Sequence, residues 1–231
     1  MSAPADGDAV RAPRARTVPA VVATVCGALF GVLALVVSVR GGAPLPGDGA
    51  VHDWTRDRRT SGVVALARGV TSTGTFVWPY LLALAAGLTV GRTARGRLRA
   101  VIIAVLVLVF GQAVRFGLME LVARPRPDIA DQVTRAANFS FPSGHASTSA
   151  LAAGILCWAV TCRAAGATTP GSRPLARTVC VLALCWAAAV GLTRIYLGVH
   201  WPSDVLGGWL FAAGWLAASA VAVPALRRPA G

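Results

Sequence analysis

Long apolar runs alternate with short polar segments along the whole chain. Six runs stand out, at about 18–39, 75–90, 100–121, 144–161, 178–196 and 203–226. A helix crosses a bilayer with about 20 mostly apolar residues, so the pattern predicts an all-α fold, an integral membrane bundle of six transmembrane helices. Ahead of the second run, Val63, Leu66, Ala67 and Val70 follow i, i+3, i+4, i+7 spacing. That spacing predicts a short amphipathic helix lying on the membrane surface. Residues 18–226 then form a single membrane domain. Residues 1–17, rich in Ala, Pro, Asp and Arg, are expected to be a disordered cytoplasmic tail, and 227–231 a second one. The first run follows Arg11, Arg14 and Arg16 without an obvious small-residue cleavage site, so it is read as an uncleaved span rather than a signal peptide.

Composition supports this frame. Of 231 residues, 55% are hydrophobic and 13% charged, and the mean hydropathy is +0.64, which excludes an ordinary soluble domain. The formal net charge is +13, and all 22 basic residues are Arg. Placing both termini and the segments 91–99 and 162–177 on one face gives that face twelve Arg and two Asp. The other face carries ten Arg and seven acids. The positive-inside rule makes the first face cytoplasmic. Such charge suits anionic lipid headgroups, and no nucleic-acid motif is present. The five Cys fall in or beside apolar runs without zinc-type spacing, so they read as small apolar packing residues and no metal site is expected. Oligomeric state is not encoded in any pattern here.

The topology also gathers the polar residues. Residues 122–143 and 194–202 both fall on the outer face. The stretch TRIYLGVHWPSD, 193–204, places Arg194, His200 and Asp204 where one span ends and the next begins. Pro202 suits the first turn of a helix. A helix starting near Trp201 puts Asp204 within reach of the His200 ring, where a carboxylate on one nitrogen leaves the other free to attack. The alternative is a plain helix junction, with Asp204 as a cap. Phe141–His145 reads FPSGH, a helix entry with Ser143 at the N-cap. A helix N-terminus there offers unpaired N–H groups to a phosphate, and Gly144 permits close approach. His145 falls in the first turn, and Arg126 of the RPRP segment adds another guanidinium. Two His, two Arg, one Asp and a helix N-terminus suit in-line displacement at phosphorus. His52, in the polar segment 40–62, has no partner pattern and reads as an ordinary loop residue.

These residues resemble the motifs of the type 2 phosphatidic acid phosphatase family, whose superfamily also holds the vanadium haloperoxidases. The family pattern is K-x6-R-P, P-S-G-H and S-R-x5-H-x3-D. The chain has Arg126–Pro127, then Pro142–Ser143–Gly144–His145, then Thr193–Arg194 with His200 and Asp204 at the family spacing. The resemblance implies a metal-independent, cofactor-free phosphatase acting on a lipid phosphate. His200 would be the nucleophile, Asp204 its orienting partner, and His145 the proton donor and then the base for water. Arg126, Arg194, Ser143 and the Gly144 N–H would hold the phosphate oxygens. The implied setting is the plasma membrane, with the site on the outer face and both termini cytoplasmic. Phosphatidic acid, phosphatidylglycerophosphate and polyprenyl phosphate or diphosphate are the candidate substrates.

Two positions depart from the pattern. Thr193 replaces Ser and keeps the hydroxyl. Met119 stands where the family has Lys. Arg115, one helical turn earlier, is expected to replace that cation in part; the competing reading pairs it with Glu120 or Gln112. Arg124 is a further possible phosphate donor, or a local partner of Glu120. Met119 also leaves open a catalytically weak member serving as a scaffold or lipid carrier. The haloperoxidase branch is disfavoured by the six spans.

Overall fold

The computed structural model of the chain describes residues 7–168 and 171–223, with the backbone alone for 7–16. The described residues form eight α-helices and one short 3-10 turn, with no strand. The helices are α1 (Gly7–Val39), α2 (Asp48–Asp57), α3 (Ser61–Ser72), α4 (Val77–Val90), α5 (Ala94–Val122), α6 (Gly144–Ala165), α7 (Ser172–Tyr196) and α8 (Pro202–Ala222). Five are long and apolar enough to cross a membrane: the Thr17–Val39 part of α1, and α5, α6, α7 and α8. At 14 residues, α4 spans only about 21 Å, short of the roughly 30 Å hydrocarbon core. Taken with α3, from which it is bent by 48°, it makes a pair long and apolar enough for a broken sixth span or a re-entrant loop.

The outer surface of these spans is apolar, with Val32 61%, Leu35 63% and Phe110 58% exposed. That is the face a bundle presents to lipid, where the hydrophobic effect does not drive helices together. The interior is built from small residues. Ala83 and Ala86 of α4, Ala104 and Leu108 of α5, Leu151 of α6 and Ala212 of α8 are almost fully buried in one cluster. The short alanine side chains among them let backbones approach. Gly87 lies against the Val101 backbone, and Gly111 against Trp215.

The structure bears on four sequence-based expectations. The segment 40–62, expected as a loop, contains α2, whose Asp48 and His52 are buried. Helix α3 forms where the amphipathic spacing predicts it. Ala67 and Thr71 are buried toward the protein, while Val63 and Leu66 are exposed. The residues expected as a disordered tail are helical from Gly7, so the boundary at 17 is one of hydropathy, not of secondary structure. Ala and Arg there are good helix formers that extend a helix already nucleated by the span. Residues 1–6 and the tail 227–231 lie outside the described residues. The five cysteines are free, four of them half-buried and Cys185 exposed, rather than fully packed inside.

Candidate functional site

The N-termini of α6 and α8 meet on one face of the bundle. Ser143 occupies the N-cap of α6, and its N–H donates to the Asp204 carbonyl at 3.0 Å. This approach requires Gly208, since a Cβ there would lie 2.9 Å from the Ser143 carbonyl oxygen. Beside it Phe141, fully buried, sits against Gly207 and stacks on Phe30 of α1 at 5.7 Å. The Ser143 hydroxyl does not cap the helix; it is buried and without a partner. The first-turn N–H groups of α6 are therefore not taken up by that side chain.

His200 follows α7 in a short loop that is held from outside. Arg59 donates from Nε to the Tyr196 carbonyl at 2.9 Å and from Nη1 to the Asp131 carbonyl at 2.5 Å. The Val133 N–H donates to the Leu197 carbonyl at 3.1 Å. Gly198 has φ +73°, and Arg59 and the Asp131 carbonyl fill the space a Cβ would need, so the turn depends on glycine. Helix α8 then starts at Pro202 with Trp201 as N-cap. Asp204 Oδ2 accepts the Trp201 N–H at 2.8 Å and lies 3.4 Å from His200 Nδ1. Asp204 Oδ2 therefore caps α8 and stands beside His200 Nδ1, a buried nitrogen that makes no hydrogen bond of its own.

The other ring nitrogen, His200 Nε2, lies 3.0 Å from Arg126 Nη1. A guanidinium only donates, so Nε2 accepts and the ring proton is assigned to Nδ1, facing Asp204. Burial, then the positive charges of Arg126 and Arg194, hold His200 well below the usual imidazole range, so the ring is neutral with an available Nε2 lone pair. Arg126 also donates to the carbonyls of Val199, Ala137, Asn138 and Phe139 at 2.8–3.0 Å, fixing the loop before α6. Burial pulls its own value down, against the opposing pull of Asp204.

The remaining predicted residues converge on the same place. His145 lies within electrostatic reach of Arg194, His200, Arg126 and Arg115. Arg194 is buried, donates from Nη1 to Thr71 Oγ1 at 3.1 Å, and keeps Nε unpartnered. Arg115 reaches the α6 N-terminus: its Cζ lies 3.5 Å from where a Cβ would stand on Gly144. Its Nη1 contacts Met119 Sδ at 3.3 Å and its Nε is buried without a partner. The competing pairings do not form. Gln112 instead bonds Tyr80 and Thr148, and no ion pair joins Arg115 to Glu120 among the described residues.

Arg124 is the exception, and a correction to its expected place among the phosphate donors. It is fully buried, and its nitrogens are taken up by Asp204, Asp48, Ser203 and the carbonyls of Gly42 and Ala43. It makes no pair with Glu120 either. Asp48 and Ser203 were not singled out from the sequence; the only signal for Asp48 was an acid in a polar segment. His52 is also corrected. It is buried on α2, 3.1 Å from Asp131 Oδ2, with its ring against Trp201. Among the described residues, no group of three or more His, Cys, Asp or Glu is placed to hold a metal ion.

The chain is 32% identical over 145 residues to phosphatidylglycerophosphatase B of Bacillus subtilis (strain 168), covering 61% of this chain and 66% of that protein. It is 28% identical over 145 residues to undecaprenyl-diphosphatase of Sulfolobus acidocaldarius, covering 58% of each. The match therefore spans less than two thirds of either relative's length. The crystal structure of a transmembrane PAP2 type phosphatidylglycerolphosphate phosphatase from Bacillus subtilis superposes with a TM-score of 0.69 at 25% identity, covering 85% of this chain and 93% of that one. The family model described as PAP2 superfamily matches residues 100–228, which contain every predicted site residue. The chain belongs to the PAP2 superfamily.

Proposed function

We propose that this protein is a membrane lipid phosphate phosphatase that works through a phosphohistidine on His200. The observation that carries the reading is the two-sided setting of that ring. Nδ1 faces Asp204 at 3.4 Å and Nε2 meets a guanidinium at 3.0 Å, with the charges of Arg194 and Arg115 acting on the same ring. A phosphate entering this space would exchange with Nε2 for Arg126 Nη1, freeing the lone pair as the substrate binds. Arg115, Arg126, Arg194, the Ser143 hydroxyl and the Gly144 N–H would hold the non-bridging oxygens.

Nε2 then attacks phosphorus in line, and the bond to the leaving oxygen breaks. His145 gives that oxygen its proton, and the positive charge on the His200 ring is balanced by Asp204. Water, losing a proton to His145, next attacks phosphorus and breaks the P–N bond, returning neutral His200 and releasing phosphate. The guanidiniums supply the charge stabilisation, so the reaction is proposed as metal-independent.

The substrate is a phosphomonoester or diphosphate of a lipid. Phosphatidylglycerophosphate and polyprenyl diphosphate are supported by the names of the relatives, and phosphatidic acid shares the same headgroup chemistry. The lipid tail would remain in the bilayer beside the helix ends. Charge asymmetry supports a plasma-membrane protein with both termini cytoplasmic and the site on the outer face. The scaffold or lipid-carrier reading is favoured only by Met119, and Arg115, whose guanidinium lies beside Gly144 at the α6 N-terminus, is proposed to stand in for the missing Lys. Phosphate release by the detergent-purified protein, with EDTA present and a panel of lipid mono- and diphosphates, tests the proposal. Release that disappears in His200→Ala is expected; release unchanged by that substitution, or abolished by EDTA, would overturn it.

A further inference from the structure

Arg124 has no exposed surface, and each of its three nitrogens is engaged. Nη1 donates to Asp204 Oδ1 at 2.6 Å and to Ser203 Oγ at 2.7 Å. Nη2 donates to Asp48 Oδ2 at 2.8 Å and the Ala43 carbonyl at 3.2 Å, and Nε to the Gly42 carbonyl at 3.2 Å. Asp48 is itself 2% exposed and fully bonded. Its Oδ1 accepts the Ser203 N–H at 3.0 Å, and its Oδ2 accepts the Ser203 hydroxyl at 2.6 Å and the Leu45 N–H at 2.9 Å. Gly42, with φ +78°, lets this segment lie on Arg124, since a Cβ there would meet Pro125 Cδ at 2.5 Å. The first residue of α2 is thereby bonded directly to the first turn of α8, and the segment before it to Arg124.

The charge count gives this arrangement a consequence. A fully buried carboxylate needs a cation, and Arg124 supplies it to Asp204. That pair alone would be neutral and would offer little to a histidine ring gaining positive charge 3.4 Å away. Asp48 occupies the other edge of the same guanidinium, so the three groups together carry one net negative charge. The ring that faces them is surrounded otherwise by cations: Arg126 from the loop after α5, Arg194 from α7 and Arg115 from α5, with His145 of α6 nearby.

We propose that Asp48 and Arg124 are positioning residues for phosphoryl transfer: together they aim Asp204 at His200 Nδ1, and Asp48 restores the net negative charge that supports the ring when Nε2 bonds phosphorus. The inference rests on the phosphohistidine reading. It assigns a role in the site to a residue outside the 100–228 segment matched by the family model.

The test compares wild type, Asp48→Asn, Arg124→Lys, Arg124→Gln and His200→Ala in detergent, with dioctanoyl phosphatidic acid as substrate. kcat and KM are measured across pH, alongside size-exclusion elution and thermal melting. Asp48→Asn is expected to lower kcat on the order of a hundredfold with KM little changed, the size of effect that misplacing a reacting group produces. Its acid limb should move to lower pH, because losing a negative charge disfavours the protonated ring. Arg124→Lys, which keeps the charge but not the fork, should retain more activity than Arg124→Gln. Wild-type kcat in Asp48→Asn, or a loss that only follows the loss of folded protein with the acid limb unmoved, would overturn the inference. If His200→Ala still releases phosphate, the phosphohistidine reading falls and this one with it. If His200→Ala is inactive while Asp48→Asn matches wild type, this one falls alone.

Discussion

Removing the guanidinium of Arg115 tests whether the cation missing at Met119 has been replaced from one turn away. Its Nη1 has only the thioether of Met119, at 3.3 Å, and its Nε is buried without a partner. A thioether is a weak acceptor, so little is lost when that contact yields to phosphate. Deleting one charged donor aimed at developing negative charge costs about 10²–10³ in kcat, or roughly 2.7–4 kcal/mol. Arg126 and Arg194 remain, which places Arg115→Gln at the lower end, about a hundredfold. The substitution also removes a half-buried charge, so stability should not suffer. The assay is steady-state phosphate release by Arg115→Gln, Met119→Lys and the double variant, normalised to folded protein. The double variant should recover about a tenfold share of the loss, or about 1.4 kcal/mol, by restoring a cation from the neighbouring turn. An Arg115→Gln protein with wild-type kcat/KM would refute the reasoning, and Arg115 would then be only a snorkelling side chain.

Three other outcomes are expected. Gly144→Ala should fold, because its Cβ would stand at ordinary contact distance, 3.5 Å, from Arg115. It should nonetheless raise KM about tenfold, by occupying space the phosphate needs beside the backbone. Gly208→Ala should lower melting temperature and activity together, since its Cβ would press on the Ser143 carbonyl at 2.9 Å and separate the two helix N-termini. Acid should destabilise the protein through His200. Its folded value is depressed by burial and by Arg126 and Arg194, so as pH falls below about 6.5 the unfolded chain takes up the proton first and stability declines. Urea unfolding in detergent should show this slope, at most about 1.4 kcal/mol per pH unit, reduced in His200→Gln; an unchanged slope would mean that other groups set it.

The helices and the site were legible in the sequence for different reasons. Apolar length identified the spans, because a bilayer demands it. Residue spacing identified His200 and Asp204, because one helical turn separates them. What escaped notice was set by contacts distant in the chain. Asp48–Asp57 is amphipathic, but its polar face is the buried one, with Asp48, His52 and Thr55 inside and Val51 and Trp54 exposed, and α2 is anchored where Asp48 meets Ser203 and Arg124. Arg124 and Arg126 look alike in R-P-R-P, yet one serves Asp204 and the other His200. Composition does not distinguish them. Nor does it separate Ala67, which packs inward, from Leu66, which faces lipid, because a membrane helix is apolar on both sides.

The central claim is covalent chemistry at His200, and it is tested most directly by trapping the intermediate. His145→Asn removes the base proposed to activate water, so the phosphoryl group should accumulate on the enzyme after a single turnover. Rapid quenching under alkaline conditions, followed by peptide mass spectrometry, should find it on His200 and nowhere else. Phosphate release without any adduct on His200, or an adduct on another residue, would contradict the account.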